Sequence, residues 1–390
     1  MNTPILNKEV QDFINTNLKS DITKLILKGS PFRAVSIQEI AEQIVSKNKC
    51  KKKLPSWHTT ENIYFPNKLN LEQTSSEITA KYKANLVSGN SLIDITGGFG
   101  VDALYFSKKI KNIIHCEINE ELSKIVAHNL KQLNIENIKT QIVDGIDFIT
   151  QSEQKYDWIY SDPSRRNQEK KVFLLEDCFP NIPENLDVLF LNANNILIKL
   201  SPILDITSAL NELKFIKEIH VIALENDVKE LLFLLEKNYT QQIAIKTINF
   251  NKKKVQNFNF TFHKEAFATY SKPKNYLYEP NSVILKAGAF NQISEQLKID
   301  KLHQHSHLYT STNLIDFPGR KFRIMHCIPY DRKQLKKLLS SKKANITTRN
   351  FPETVAQIRK KTKLKDGGLH YLFFTTNIHN NHIVLICEKI

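Results

Sequence analysis

The stretch "LIDITGGFGVDALYFSKKIKNIIHCEIN", Leu92–Asn119, decides the fold. An apolar run ends at Asp94, glycines follow at Gly97, Gly98 and Gly100, a helical pattern comes next, and a second apolar run ends on an acid, Glu117. That order is strand, tight turn, helix, strand. The glycines let backbone approach a ligand closely, and the following helix offers free N–H groups at its start.

The spacing narrows the ligand. No lysine follows Gly100, so the turn lacks the signature of a triphosphate loop, and G-G-x-G-x-D is not the dinucleotide fingerprint. Asp94 and Asp102 flank the turn, an arrangement that repels a pyrophosphate and suits a ligand carrying an ammonium group. S-adenosylmethionine has that ammonium, a sulfonium and no phosphate. Thr96 and the three glycines would line it, Glu117 would accept hydrogen bonds from the ribose hydroxyls, and Asp144 in "IVDGIDF" would meet the adenine amino group. Glycines of this kind also make plain tight turns, and such acids also cap helices. The coincidence of all these residues at strand ends, where open α/β sheets bind ligands, favours the nucleoside.

A second apolar strand, in "YDWIYSDPSRR", ends at Asp162 and Pro163, and an Asp-Pro pair there sets the direction of a turn. Amino methyltransferases place D/N-P-P-Y/F/W at this point, with the first side chain and a backbone carbonyl accepting from the target amine and the aromatic stacking on the base. This chain has Ser164 and Arg165 in place of the second proline and the aromatic. Asp162, Pro163, Ser164 and Arg165 are the catalytic candidates. Arg166 is a substrate contact that would stack on a base or clamp a phosphate. "ILIKLSP" supplies Lys199 and Ser201 as a second wall, and "LEQTSSEITAKYKA" would lay Gln73, Ser75 and Ser76 over the cofactor.

Outward from this centre, β/α alternation runs through "NILIKLSPI" and "EIHVIALEN", which implies a mostly parallel sheet covered on both faces. "IKTINF" and "NFTFHKEAF" follow each other without room for a crossover helix, so the last strand is expected to be antiparallel. Residues 1–80 form an N-terminal helical region, 81–270 the α/β domain, 271–316 a small linking domain and 317–390 a basic α+β unit. In the linking segment "SKPKNYLYEP" reads as linker and "NSVILKAGAFNQISEQL" as a short βα unit. The last unit reads strand, helix, helix, strand, strand.

At 390 residues and 41% hydrophobic, the chain has enough apolar mass for two or three cores. Its five cysteines are scattered and unpaired in spacing, so neither a disulfide framework nor a metal site is expected. No apolar run approaches a membrane span and the start is unlike a secretory leader, which points to a cytoplasmic protein. The net charge is +15, and the last eighty residues carry 16 Lys and Arg against 5 Asp and Glu. A basic patch of that kind suits a polyanion.

Taken together, "DITGGFGVD", "CEIN", "YDWIYSDPSRR", "LIKLSP", "YLYEPNSVILKAGAF", "ANITTRNFP" and "IRKKTKLKDGGLHYLFFT" resemble the class I S-adenosylmethionine-dependent methyltransferases of the bacterial type that carry a C-terminal THUMP-like domain, with a small ferredoxin-like segment between. The resemblance implies a Rossmann-like class I sheet, mostly parallel with an antiparallel last strand, behind an N-terminal helical cap and ahead of an α+β THUMP-like domain. It also implies S-adenosylmethionine as cofactor and an RNA substrate, tRNA or rRNA. Arg349, Arg359, Lys360, Lys361, Lys363 and Lys365 are the candidate phosphate contacts, and the aromatics of "HYLFFTTN" are expected in the core. Competing readings are a protein or small-molecule methyltransferase, and an RNA-binding module that has lost activity through the altered turn.

Overall fold

The computed structural model of the chain describes residues 1–165, 174–252, 254–339 and 341–390, with only the backbone of Arg165 and Lys336. Contacts divide it into two compact units, Met1–Lys217 with Leu232–Gln241, and Glu218–Leu231 with Gln242–Ile390.

The first unit opens with helices α1 (Lys8–Thr16), α2 (Ile22–Lys28), α3 (Ile37–Lys53), α4 (Pro55–Thr59), α5 (Lys68–Gln73) and α6 (Glu77–Ala84). Ser36 and Glu39 close a capping box at the start of α3, and Lys51, Lys52 and Lys53 fill its last turn, where cations offset the helix dipole.

The alternation follows: β1 (Gly89–Asp94), α7 (Val101–Phe106), β2 (Ile110–Cys116), α8 (Glu120–Gln132), β3 (Ile138–Gln141), α9 (Gly145–Gln151) and β4 (Tyr156–Ser161). A two-stranded hairpin, β5 (Ser164–Arg165) with β6 (Cys178–Phe179), precedes α10 (Ile182–Asn192), β7 (Ala193–Leu200) and α11 (Ile206–Glu212). The strands lie in the order β7-β4-β1-β2-β3 and every pairing among them is parallel. Leu92, Ile93, Ile159, Ile196, Leu197 and Ile198 are fully buried in them. The winding reverses between β1 and β4, which opens a crevice at their carboxyl ends.

β8 (Ile216–Leu224) and β9 (Asp227–Glu236) are joined by Glu225 and Asn226, both at positive φ, the geometry of a two-residue hairpin turn. In the second unit, β10 (Ala244–Phe250) runs parallel to β8, and β11 (Val255–Thr261) is antiparallel to β10, the expected antiparallel end of the sheet.

A seven-stranded sheet follows. Its elements are β12 (Tyr276–Pro280), α12 (Ser282–Ala287), α13 (Phe290–Leu297), β13 (Asp300–Lys301), β14 (Tyr309–Ser311), β15 (Gly319–Pro329), α14 (Arg332–Leu338), β16 (Asn345–Arg349), α15 (Val355–Thr362), β17 (His370–Thr376) and β18 (His382–Lys389). The order is β13-β14-β12-β15-β18-β17-β16.

Two expectations are corrected here. "YLYEP" is no linker but β12, paired antiparallel with both β14 and β15. "NSVILKA" is no strand but α12: Asn281 caps it by accepting from the Ile284 N–H, and Gly288 ends it at φ +68. The strand β16 falls between the two helices of the basic unit, where none was expected.

Residues of β17 alternate between two cores. Phe373 packs with Leu277, Phe322 and Leu385, while Leu372 and Phe374 pack with Ile358, Val384 and Ile386 on the other face. The aromatics are core, as expected. Glu279 of β12, 5% exposed, pairs with Arg320 and, at 3.1 Å, with Arg349 of β16. Four strand steps of about 4.8 Å separate β12 from β16 along a flat sheet, further than an arginine reaches, so the sheet curls.

Candidate cofactor and methyl-transfer site

Parallel register brings the strand ends together. Asp94 lies opposite His115 on one side and Tyr160 on the other, and Ser161 lies opposite Ile198. The carboxyl ends of β1, β2, β4 and β7 therefore present Asp94, Glu117, Asp162 and Lys199 along one edge.

The glycine turn is held from below. Gly97 N–H donates to the Cys116 carbonyl at 2.8 Å, and a Cβ on Gly97 would come within 2.3 Å of the His115 ring, so only glycine fits. Gly98 and Gly100 sit at φ +58 and +73. A Cβ on Gly98 would meet only the Thr96 carbonyl, at 3.8 Å, so the turn is open on that side.

Glu117 is fixed at both oxygens. Oε2 accepts from Gly98 N–H and Oε1 from Asn119 N–H, each at 2.8 Å. Burial raises its pKa, and those two N–H groups pull the other way. Each oxygen keeps acceptor capacity beyond these bonds.

Asp94 is 1% exposed and accepts from Thr96 N–H at 3.0 Å. Burial, with the like charges of Asp102 and Asp162, pushes it well above the usual carboxylate range. A cation in the turn would relieve that penalty. No arginine or lysine projects from the turn itself, Ile95 to Val101.

Asp102 has different company. Lys83, fully buried on α6, faces it at 3.2 Å, and Ser75 and Tyr160 donate to it at 2.8 and 2.7 Å. Burial would raise its pKa, but Lys83, Lys199 and these hydroxyls hold it below the usual range. Its carboxylate is engaged inside the fold, and Ser75 is engaged with it rather than laid over the turn. Removing one partner of such a pair costs about 3–5 kcal/mol.

Asp144 caps α9, accepting from Ile146 and Asp147 N–H at 2.8 and 3.2 Å through one oxygen. Ser76 likewise caps α6, and Gln73 ends α5. Asp162 pairs with Lys199, whose side chain is 11% exposed against 34% for Asp162. Ser164 is exposed on β5, and its hydroxyl donates to the Phe179 carbonyl at 3.4 Å. Ser201 shapes the turn after β7, its carbonyl accepting from Leu204 N–H at 3.1 Å. Arg166 lies outside the described residues, as does the Arg165 side chain.

Several residues carried no sequence signal. Ile118 and Ile142, 64% and 52% exposed, are large apolar side chains; in the chain Ile118 directly follows Glu117, and Ile142 precedes Asp144 by two residues. His115 is fully buried behind Gly97 with neither ring nitrogen hydrogen-bonded among the described residues, and burial lowers it to about 4.

In the second unit, the six basic candidates separate. Arg349 is bound to Glu279, and Arg359 to Asp366 and the Leu364 and Ala344 carbonyls. Lys361 pairs with Glu353 at 2.9 Å. Lys360, Lys363 and Lys365 are exposed and make no ion pair among the described residues. Of the six, Arg349, Arg359 and Lys361 have internal acidic partners, and Lys360, Lys363 and Lys365 face solvent. Among the described residues no group of His, Cys, Asp or Glu could hold a metal, and no helix is long and apolar enough to cross a membrane.

Three family models match: one for the tellurite resistance protein TehB over residues 57–199, one for a ferredoxin-like domain over 276–318, and a THUMP domain-like model over 319–389. A crystal structure from Porphyromonas gingivalis W83, of a protein described as a proposed methyltransferase, is 31% identical, with 99% of this chain and 98% of that one covered and a TM-score of 0.88. An rRNA methylase of Streptococcus thermophilus (13% identical, 41% of this chain and 94% of that one, TM-score 0.31) and TrmK of M. capricolum with S-adenosyl-homocysteine (19%, 41% and 68%, TM-score 0.32) are too distant to bear on function. No curated protein matches.

Proposed function

The chain belongs to the methyltransferase family of that Porphyromonas protein, and from this premise we propose that it methylates a nucleobase in structured RNA, tRNA or rRNA, with the basic C-terminal domain holding the RNA. The methyl donor is S-adenosylmethionine, which supplies an electrophilic methyl group when bound.

The donor set fits that cofactor. Carboxylates at Asp94, Glu117 and Asp144 surround a turn without basic side chains, chemistry suited to a cationic nucleoside without phosphate. Glu117, fixed by two backbone N–H groups, keeps lone pairs for the ribose hydroxyls, Ile118 and Ile142 flank the base, and Gly98 lets the backbone come close. Asp102 anchors the turn from behind through Lys83.

Asp162 is the residue that meets the substrate. Its carboxylate, aligned by Lys199, would accept a hydrogen bond from an exocyclic amine, orient the nitrogen lone pair and take the proton that the nitrogen loses on methylation. Catalysis here is positioning: the enzyme holds the nucleophile close and in line.

The observation that carries the RNA reading is the exposed lysine set Lys360, Lys363 and Lys365 inside the region matched by the THUMP-like model. The test is transfer of labelled methyl from S-adenosylmethionine to total RNA from a strain lacking the protein, with Asp162→Ala alongside. RNA label that needs Asp162 supports the reading. Label on protein or small molecules instead, or cofactor binding without transfer, replaces it with one of the competing functions.

A further inference from the structure

The turn after Asp162 lacks an aromatic in its own sequence, yet the fold brings one to it. β5 and β6 pair antiparallel with Ser164 opposite Phe179 and Arg165 opposite Cys178. Residues directly opposite on such a pair point their side chains to the same face, and neighbours along a strand point to opposite faces. Cys178 is 2% exposed and Phe179 46%. The hairpin therefore has an inner face, carrying Cys178, and an outer face, carrying Ser164 and Phe179. Phe179 is 46% exposed, and its strand partner Ser164 follows Asp162 by two residues.

β7 pairs with β4 at their carboxyl ends, and the loop leaving β7 exposes Ile203 at 47%. Phe179 is thus exposed on the strand paired with the segment that leaves Asp162, and Ile203 is exposed on the segment that leaves Lys199. Phe179 makes no ring contact with another aromatic among the described residues.

We propose that Phe179 is a substrate-binding residue whose ring stacks on the face of the target nucleobase while Asp162 accepts from its exocyclic amine. This rests on the RNA reading above. A flat face and an N–H donor in one group is the chemistry of an amino-bearing base, and base–aromatic stacking tolerates any base because each has a π-face. An aliphatic target would use the carboxylate but gain nothing from the ring's planarity.

The experiment compares full-length Phe179→Ala, Phe179→Leu and Phe179→Tyr in methyl transfer to total RNA from the strain lacking the protein, with S-adenosylmethionine affinity and the urea midpoint measured on each. The expected result is a loss in kcat/KM for RNA of about five- to one-hundred-fold in the alanine variant, the range stacking contributes per base. Tyrosine restores the rate and leucine does not, with cofactor affinity and midpoint unchanged. Full activity in the alanine variant, or rescue by leucine as good as by tyrosine, overturns the stacking role and leaves the RNA reading intact. Loss of cofactor binding in the alanine variant assigns the ring a structural role instead. Wild-type protein that labels protein or small molecules and no RNA overturns both.

Discussion

The backbone N–H of Asp162 donates to the Thr96 hydroxyl at 2.6 Å, while the Thr96 N–H donates to Asp94 at 3.0 Å. One side chain thereby couples the glycine turn after β1 to the Asp-Pro turn after β4. Thr96→Val keeps the shape and removes the acceptor, leaving the Asp162 N–H unpaired at a cost of about 1–3 kcal/mol. The expected outcome is a lower kcat with cofactor affinity changed less than threefold, and recovery in Thr96→Ser. Equal loss in the serine variant would point to packing of the methyl group instead.

Lys199 holds the Asp162 carboxylate from the end of β7. In Lys199→Met the carboxylate loses its aligning charge, and kcat is expected to fall by about tenfold or more while S-adenosylmethionine still binds. Lys199→Arg, which keeps the charge, recovers part of the rate. A methionine variant with an unchanged kcat would show that Asp162 needs no partner.

His115 gives the fold an acid limit. Burial depresses its pKa to about 4, below the value near 6.5 of the unfolded chain. The unfolded state therefore takes up the proton first. The stability this contributes is full above about pH 6.5 and drains away as pH falls toward 4, on the order of 3 kcal/mol in all. His115→Leu, apolar and close in volume, is expected to flatten the urea-midpoint profile between those pH values. A profile as steep as that of the wild type would place the acid sensitivity elsewhere.

The lysines and arginines of the second unit should behave differently. Lys360, Lys363 and Lys365 changed together to alanine are expected to weaken RNA binding and reduce the slope of log affinity against log salt by about two to three, with the melting temperature unchanged. Arg349→Ala leaves the buried Glu279 with one partner fewer, so its effect is expected first in stability. Should Arg349→Ala lower the salt slope without lowering the melting temperature, its contact with Glu279 is incidental.

The sequence made the centre of the molecule readable because its signals are local. Strand, glycine turn, helix and acid fall within Leu92–Asn119, and the Asp-Pro turn ends its strand within a few residues. Reading failed where distant partners decide. "NSVILKA" has the apolar run of a strand, yet it is a helix that starts where the Asn281 side chain accepts from the Ile284 N–H, and "YLYEP" is a strand because β14 and β15 lie on either side of it. The polar β16, "NITTR", sits at a sheet edge with little apolar pattern to announce it. Lys83, buried against Asp102, carries no signal in the sequence, because its partner lies nineteen residues away across the fold. Phe179 meets Ser164 only through an antiparallel pairing of residues fifteen apart in sequence.

The central claim is that this chain methylates an RNA base through Asp162. The most direct measurement digests total RNA to nucleosides, from a strain with the protein, a strain without it, and the latter carrying either wild type or Asp162→Ala, and compares methylated nucleosides by mass spectrometry. The account predicts one amino-methylated base that disappears with the protein, returns with wild type and stays absent with Asp162→Ala. Identical nucleoside profiles in all four strains would contradict it.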